Sequence, residues 1–181
     1  MSQTLPKSSV PRIRGGSHWL MGNQLIRCEL IEEPSDEFRE VVGGVLRDHN
    51  ASANPEFWRQ LTNSANAAEA INVFARDQRG DVVGGLLAET QFSWLKISVM
   101  SVSAPFRSQG IGSELLRIAE DEAARRGCRY AYVDTMEYQA PQFYRRRGYQ
   151  AAGELKDWDS RGHSKYLFTK PLTGGDGTKQ N

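Results

Sequence analysis

The chain has 181 residues, 39% of them hydrophobic and 25% charged, and a formal net charge of +1. That length and composition suit one globular domain with a sizeable core. They exclude a global field for nucleic acid or an anionic membrane, and no apolar run approaches the roughly eighteen residues of a membrane helix. The N-terminal stretch lacks the apolar core of a secretory signal, so the expected address is the cytoplasm. Cys28 and Cys128, the only cysteines, are expected there as buried thiols.

Residues 1–23 carry Pro, Gly, Ser and basic residues without periodicity. They read as a disordered leader, a tag remnant or an extension ahead of Met21. Residues 25–31 are strand-like. Ser35, followed by Asp36 and Glu37, marks a helix start, and Phe38, Val41, Val42 and Leu46 continue at helical spacing across a weakening Gly43-Gly44 pair. Pro55 opens another short helix. Residues 70–76 and 82–90 form a hairpin around the turn cluster 77–81. Gly84-Gly85 inside its second strand signals a bulge or a close backbone approach. Trp94–Val102 is expected to be a central strand covered on both faces.

A long helical pattern follows Gly110 and stops at Gly127. Residues 130–133 form a strand and 140–147 a short helix ended by Gly148. A strand begins at Tyr149, and 163–172 form a last strand. The tail from residue 173 is expected to be disordered. The main domain is therefore 24–172, an α/β arrangement with a mixed sheet. No internal repeat is present.

The stretch Arg107-Ser108-Gln109-Gly110-Ile111-Gly112-Ser113 joins the central strand to the long helix. Strand, glycine-rich turn and helix together hold an anion, because a helix N-terminus offers unpaired N–H groups and the positive end of the dipole. Gly110 and Gly112 lack a Cβ and let a phosphate approach the main chain. Arg107 adds a guanidinium suited to a diphosphate. No lysine follows Gly112 as a P-loop requires, and Leu115 stands where a dinucleotide fingerprint needs its third glycine.

What fits is Gln/Arg-x-x-Gly-x-Gly/Ala from Arg107 to Gly112, which resembles the coenzyme A-binding motif of the GNAT superfamily of N-acetyltransferases. A second stretch, Gln139-Ala140-Pro141-Gln142-Phe143-Tyr144-Arg145-Arg146-Arg147-Gly148-Tyr149, resembles the family's Ala-x-x-Phe-Tyr-x-x-x-Gly-Phe/Tyr segment. The resemblance spans roughly residues 25–172 and matches the family's order of elements. Two positions depart from it. Glu137 stands where the family often has an asparagine, and Ser108 where many members have glycine.

The resemblance implies an acyl-CoA N-acyltransferase fold: a mixed, mostly antiparallel twisted sheet of six to seven strands with helices on both faces. Acetyl-CoA would be the cosubstrate, with no metal. The strand ending at Val102 would splay from that at 130–134, and pantetheine would pair with main chain near Met100 and Val102. The pyrophosphate would sit on the amides of Ser108, Gln109, Gly110, Ile111, Gly112 and Ser113 beside Arg107. A main-chain N–H near Val102 would serve the oxyanion. Tyr144 would be the general acid, its ordinary pKa of about 10 close to a thiol's 8.5. Glu89, Glu137 and His163 are candidate bases.

Acceptor contacts are expected from residues 35–60, with Trp58, and from the loop 156–162, with Asp157, Trp158 and Asp159. Arg145-Arg146-Arg147 reads as a solvated helix end. The expected acceptor is the primary amine of a small metabolite or antibiotic-like molecule, and a homodimer is expected by analogy. The alternatives are a protein lysine or N-terminal acetyltransferase and a non-catalytic acyl-CoA-binding sensory module.

Overall fold

Ser35 starts the first helix as its sequence context requires: its side chain accepts from Phe38 N at 3.3 Å, and α1 (Asp36–Ala53) follows with Asp36 and Glu37 in its first turn. The helix runs through Gly43 and Gly44 without a break. Asn54 accepts from Phe57 N at 3.0 Å, and Pro55 takes the first position of α2 (Pro55–Thr62), where its missing N–H is no loss. The computed structural model describes residues 13–172. Ahead of the helices, β1 (Ile13–Met21) pairs antiparallel with β2 (Gln24–Ile31). A strand thus occupies residues that showed no periodic pattern. Gly22, at φ +63°, and Asn23 supply the two-residue connection that a tight hairpin demands. The expectations for residues 1–12 and 173–181 fall outside the described residues. These elements belong to one compact unit ending at Thr62, and a second begins at Asn63.

The second unit contains β3 (Glu69–Arg76), β4 (Val82–Gln91), β5 (Trp94–Val102), α3 (Ile111–Arg125), β6 (Tyr130–Met136), α4 (Pro141–Arg146), β7 (Gln150–Leu155) and β8 (Lys165–Pro171). Its sheet has six strands in the order β3-β4-β5-β6-β8-β7. Only β5 and β6 are parallel, because α3 crosses between them and returns the chain to the same end. The β3–β4 turn is closed by Asp77 Oδ1, which accepts from Arg79 N at 2.9 Å and Asp81 N at 3.0 Å.

Alternation along the strands sends one set of side chains into a single core. Leu86, Leu95 and Phe168 are fully buried there against Leu115, Leu116, Ala119 and Ala123 of α3 and Tyr144 of α4. The opposite face of β5 carries exposed Trp94 and Lys96, so its burial alternates where continuous burial was expected. Lys96 there reaches Glu89 on β4 at 2.9 Å, a cross-strand pair that belongs at a wet surface. Cys128 is buried and Cys28 exposed, so only one of the two thiols behaves as a core residue. Gly84-Gly85 marks close approach, and the β3–β4 register shifts beside it, since Ala75 opposes Gly84 but Arg76 opposes Val82. A Cβ on Gly84 would lie 3.0 Å from Ser101 O, and one on Gly85 would lie 3.1 Å from Phe74 Cδ1. Among the described residues no helix is long and apolar enough to cross a membrane.

Leu116 is 1% exposed at the centre of this core. Leu116→Ala should cost about 2–5 kcal/mol, read as a lower urea midpoint with an unchanged slope.

Candidate active site

Two neighbouring strands part company in the middle of the sheet. β5 and β6 are in register only from Trp94/Tyr130 to Ile97/Val133. Beyond that point β5 stays with β4 as far as Val102, and β6 stays with β8 as far as Met136. The fork begins where the β4–β5 register shifts, since Ala88 opposes Ile97 but Leu87 opposes Val99. Ser98 is the extra residue. Such a bulge bends its strand and increases the local twist, which swings the end of β5 away from β6.

The fork exposes main chain. Ser103 N donates to Val83 O at 2.8 Å, so by alternation the N–H and C=O groups of Val102 and Met100 turn from β4 toward the gap. Arg107 Nε confirms that direction by donating to Val102 O at 2.8 Å. That bond leaves the N–H of Val102 and both groups of Met100 for a partner in the gap.

The connection to α3 is wound tightly. Ser108 and Gly110 both take left-handed backbone, at φ 62° and 86°. Gly110 caps α3 without a side-chain hydrogen bond, so no side chain covers the first-turn amides. Its role is conformational, because nothing lies within 4 Å of where its Cβ would stand. Gly112 is needed for another reason. A Cβ there would meet Met100 Cε at 3.2 Å and Phe143 Cε2 at 3.6 Å, so its lost side chain makes room for the cleft wall as well as for a ligand. Gln109 Nε2 ties back to Pro105 O at 3.1 Å.

A cleft of about 660 Å³ joins these parts. Of the residues named from the sequence, Met100, Val102, Arg107, Ser108, Gly110, Gly112, Ser113 and Tyr144 line it. Gln109 and Ile111 do not, and Ile111 packs on the core. Glu89 lies instead in a second hollow of about 420 Å³ beside Trp94, Lys96 and Tyr132. Glu137 is not among the lining residues, although Tyr138 and Gln139 are. Its Oε2 accepts from Ser164 N at 3.0 Å and its own N–H donates to Ser164 O at 2.8 Å, which pins the end of β6 to β8. Trp58 lies in the other unit.

The arginine run is more than a solvated helix end. Arg145 sits over the rings of Tyr166 and Phe168, at 5.2 and 5.1 Å from their centroids. Arg147 hydrogen-bonds Ser113 Oγ and lies 5.8 Å above the Phe143 ring. Arg146 and Arg147 line the cleft with Arg107, giving it a cationic rim. A triple-arginine run carries no sign of its own as to which guanidinium turns inward; only the docking of α4 decides that.

Tyr144 is 6% exposed, packed against Phe143, Tyr149 and Phe168, and its hydroxyl points at Met100 Sδ, 3.9 Å away. Burial, aided by the charge of Asp134, pushes its pKa up to about 12. The near-balance with a thiol expected from ordinary values therefore widens, and the phenol is a firmly protonated donor. Tyr149 is raised further, by burial and by Glu120, whose carboxylate accepts its hydroxyl at 2.9 Å and also pairs with Lys170 at 2.6 Å. Among the described residues no group of three or more His, Cys, Asp or Glu could hold a metal ion.

A forked mixed sheet thus carries a cleft lined by three arginines, with a buried phenol at the fork. Known proteins match this chain in sequence and in fold. Residues 29–149 fit the model of the Acetyltransferase (GNAT) family. Blasticidin-S acetyltransferase of Streptomyces morookaense is 33% identical over 128 residues, 70% of this chain and 93% of that protein. The crystal structure of an acetyltransferase from Bacillus cereus superposes with a TM-score of 0.63 at 28% identity, covering 79% of this chain and 97% of that one. An aminoglycoside 6'-N-acetyltransferase solved in complex with coenzyme A shares the fold, with a TM-score of 0.53, 20% identity and coverage of 82% and 98%. The chain belongs to the GNAT acetyltransferase family and is an acyltransferase.

A tyrosine whose folded pKa exceeds its unfolded value of about 10 stabilises the fold below that pH and loses the contribution as pH rises through the folded value. Stability should therefore fall between about pH 10 and 12, with Tyr144 accounting for about 2–3 kcal/mol. Denaturant midpoints measured across that range should fall less steeply for Tyr144→Phe than for the parent.

Proposed function

We propose that this enzyme transfers the acetyl group of acetyl-CoA to the primary amine of a small molecule, by direct attack in a ternary complex. The observation that carries this reading is the fork, with the turned-out main chain of Met100 and Val102 facing the buried hydroxyl of Tyr144. Pantetheine pairs with the N–H and C=O of Met100 as an added strand would, which keeps the N–H of Val102 for the reacting carbonyl. The pyrophosphate takes the amides of the turn from Ser108 to Ser113, with Arg107, Arg146 and Arg147 around it.

Holding both reactants in the fork contributes up to roughly 7–11 kcal/mol. The N–H of Val102 is the assigned donor to the oxyanion. Tyr144 donates to sulfur as the C–S bond breaks. Its proton is held more tightly than an ordinary phenol's, but a thiolate in the same dry cleft is desolvated too, and that raises its own proton affinity. We assign the base to neither glutamate on this geometry, since Glu89 is paired with Lys96 and Glu137 holds a backbone amide. A small amine is favoured over a protein substrate by the relative that acts on blasticidin S, which the chain matches over most of its length.

Thiol release from acetyl-CoA should be measured against blasticidin S, aminoglycosides, polyamines, amino acids and short lysine peptides. Turnover is expected with one small-molecule class. Turnover with the peptides alone would move the assignment to a protein acetyltransferase. Binding of acetyl-CoA by calorimetry without any turnover would make the chain a sensory module. Tyr144→Phe should lower kcat by about 100-fold or more while the Kd for coenzyme A stays within about twofold. Equal loss of both would make Tyr144 a packing residue only.

A further inference from the structure

The turn between β7 and β8 holds an imidazole–carboxylate pair that the chemistry above leaves unused. His163 Nδ1 lies 2.7 Å from Asp159 Oδ2. The other oxygen of Asp159 accepts the backbone N–H groups of Arg161 at 3.0 Å and His163 at 3.2 Å. Asp157 Oδ1 accepts from Gly162 N at 2.6 Å, and Trp158 N donates to His163 O at 2.9 Å. One oxygen of Asp159 is thus committed to the main chain and the other to the imidazole. A ring that donates from Nδ1 to a carboxylate presents Nε2 as its basic atom.

The place of the pair matters as much as its chemistry. The His163 ring stands edge-on to Tyr138, with centroids 5.2 Å apart, and Tyr138 lines the same cleft as Tyr144. Two residues on, Lys165 pairs with Met136, the last residue of the β6 arm of the fork. The imidazole is half-exposed, so it can take a proton from a bound amine and release it to solvent. The charged groups around the pair are spoken for. Glu137 and Glu154 hold Ser164 N and Oγ, and Lys165 reaches Asp134 and lies over the Trp158 ring. Asp157 closes the turn itself, leaving Lys156 and Arg161 as its remaining charges.

We propose that His163, oriented by Asp159, accepts the proton of the incoming ammonium, directly or through one water. This rests on the acetyl-transfer reading. An alkylammonium has no lone pair with which to attack. Nε2 removes one proton, and the neutral amine then forms the C–N bond at the thioester carbonyl. The C–S bond breaks as Tyr144 protonates the leaving sulfur. The second proton of the attacking nitrogen returns to the Tyr144 oxygen, and His163 gives its proton to water. One amide, one thiol and one proton result.

The test uses the full chain and the amine that turns over fastest in the panel above. His163→Gln should lower kcat about 100-fold at pH 7, with coenzyme A affinity and thermal midpoint unchanged. His163→Ala should recover turnover when imidazole is added, in proportion to its neutral form, which no packing role would produce. An undiminished kcat in His163→Gln, or no recovery with imidazole, overturns the assignment of His163 and leaves acetyl transfer standing. A parent enzyme that transfers to no amine overturns both.

Discussion

The parting of β5 from β6 is the constraint on which the site depends. Each arm of the fork is held by its outer neighbour, β5 by β4 through Gly84 opposite Val102 and β6 by β8 through Lys165 opposite Met136. The origin of the gap is one surplus residue, Ser98, and its width at the far end is guarded by Gly84, where any side chain would press on Ser101 O. Main-chain groups without a strand partner are costly when dry, and a pantetheine-like ligand as proposed would remove that cost.

The walls of the gap are built from the same core that holds the sheet. α3 enters at the end of β5 through two left-handed residues and packs Leu115, Leu116 and Ala119 on the strands, so its N-terminus cannot wander from the fork. α4 is only six residues long and is held by the aromatic packing of Tyr144 with Phe168 and Tyr149. Tyr149 in turn is fixed by Glu120 of α3, which also pairs with Lys170 of β8. That partly buried triad couples the two helices and the last strand. The hydroxyl of Tyr144 is thereby aimed at Met100 in the absence of any ligand.

Electrostatics divide the cleft by depth. The rim carries Arg107, Arg146 and Arg147, which suit phosphates in water. The inner end is apolar and keeps Tyr144 protonated far above neutral pH. A proton acceptor has to stand outside that dry end to exchange with solvent. The His163–Asp159 turn does so, beside Tyr138 at the mouth.

Much of this was legible in residue order. Glycine at Gly110, a cap at Ser35, the Asp77 turn and the alternation in β4 are local effects, set by φ preference and by hydrogen bonds spanning a few residues. The two motifs, 107–112 and 139–149, likewise carried the family and the cleft's main residues. What local pattern could not decide was anything requiring two distant segments. β1 was invisible because a hairpin with no strong alternation is specified by its turn. The exposure of Cys28, the inward direction of Arg147 and the pairing of Glu137 with Ser164 depend on how separate elements dock. The sequence by itself determined most of the elements from β2 onward and the glycine-rich turn ahead of α3, because those follow from backbone chemistry a few residues long. Only the tertiary structure decided where the sheet opens and which charges face the opening, because strand register and helix docking are set by the whole core at once.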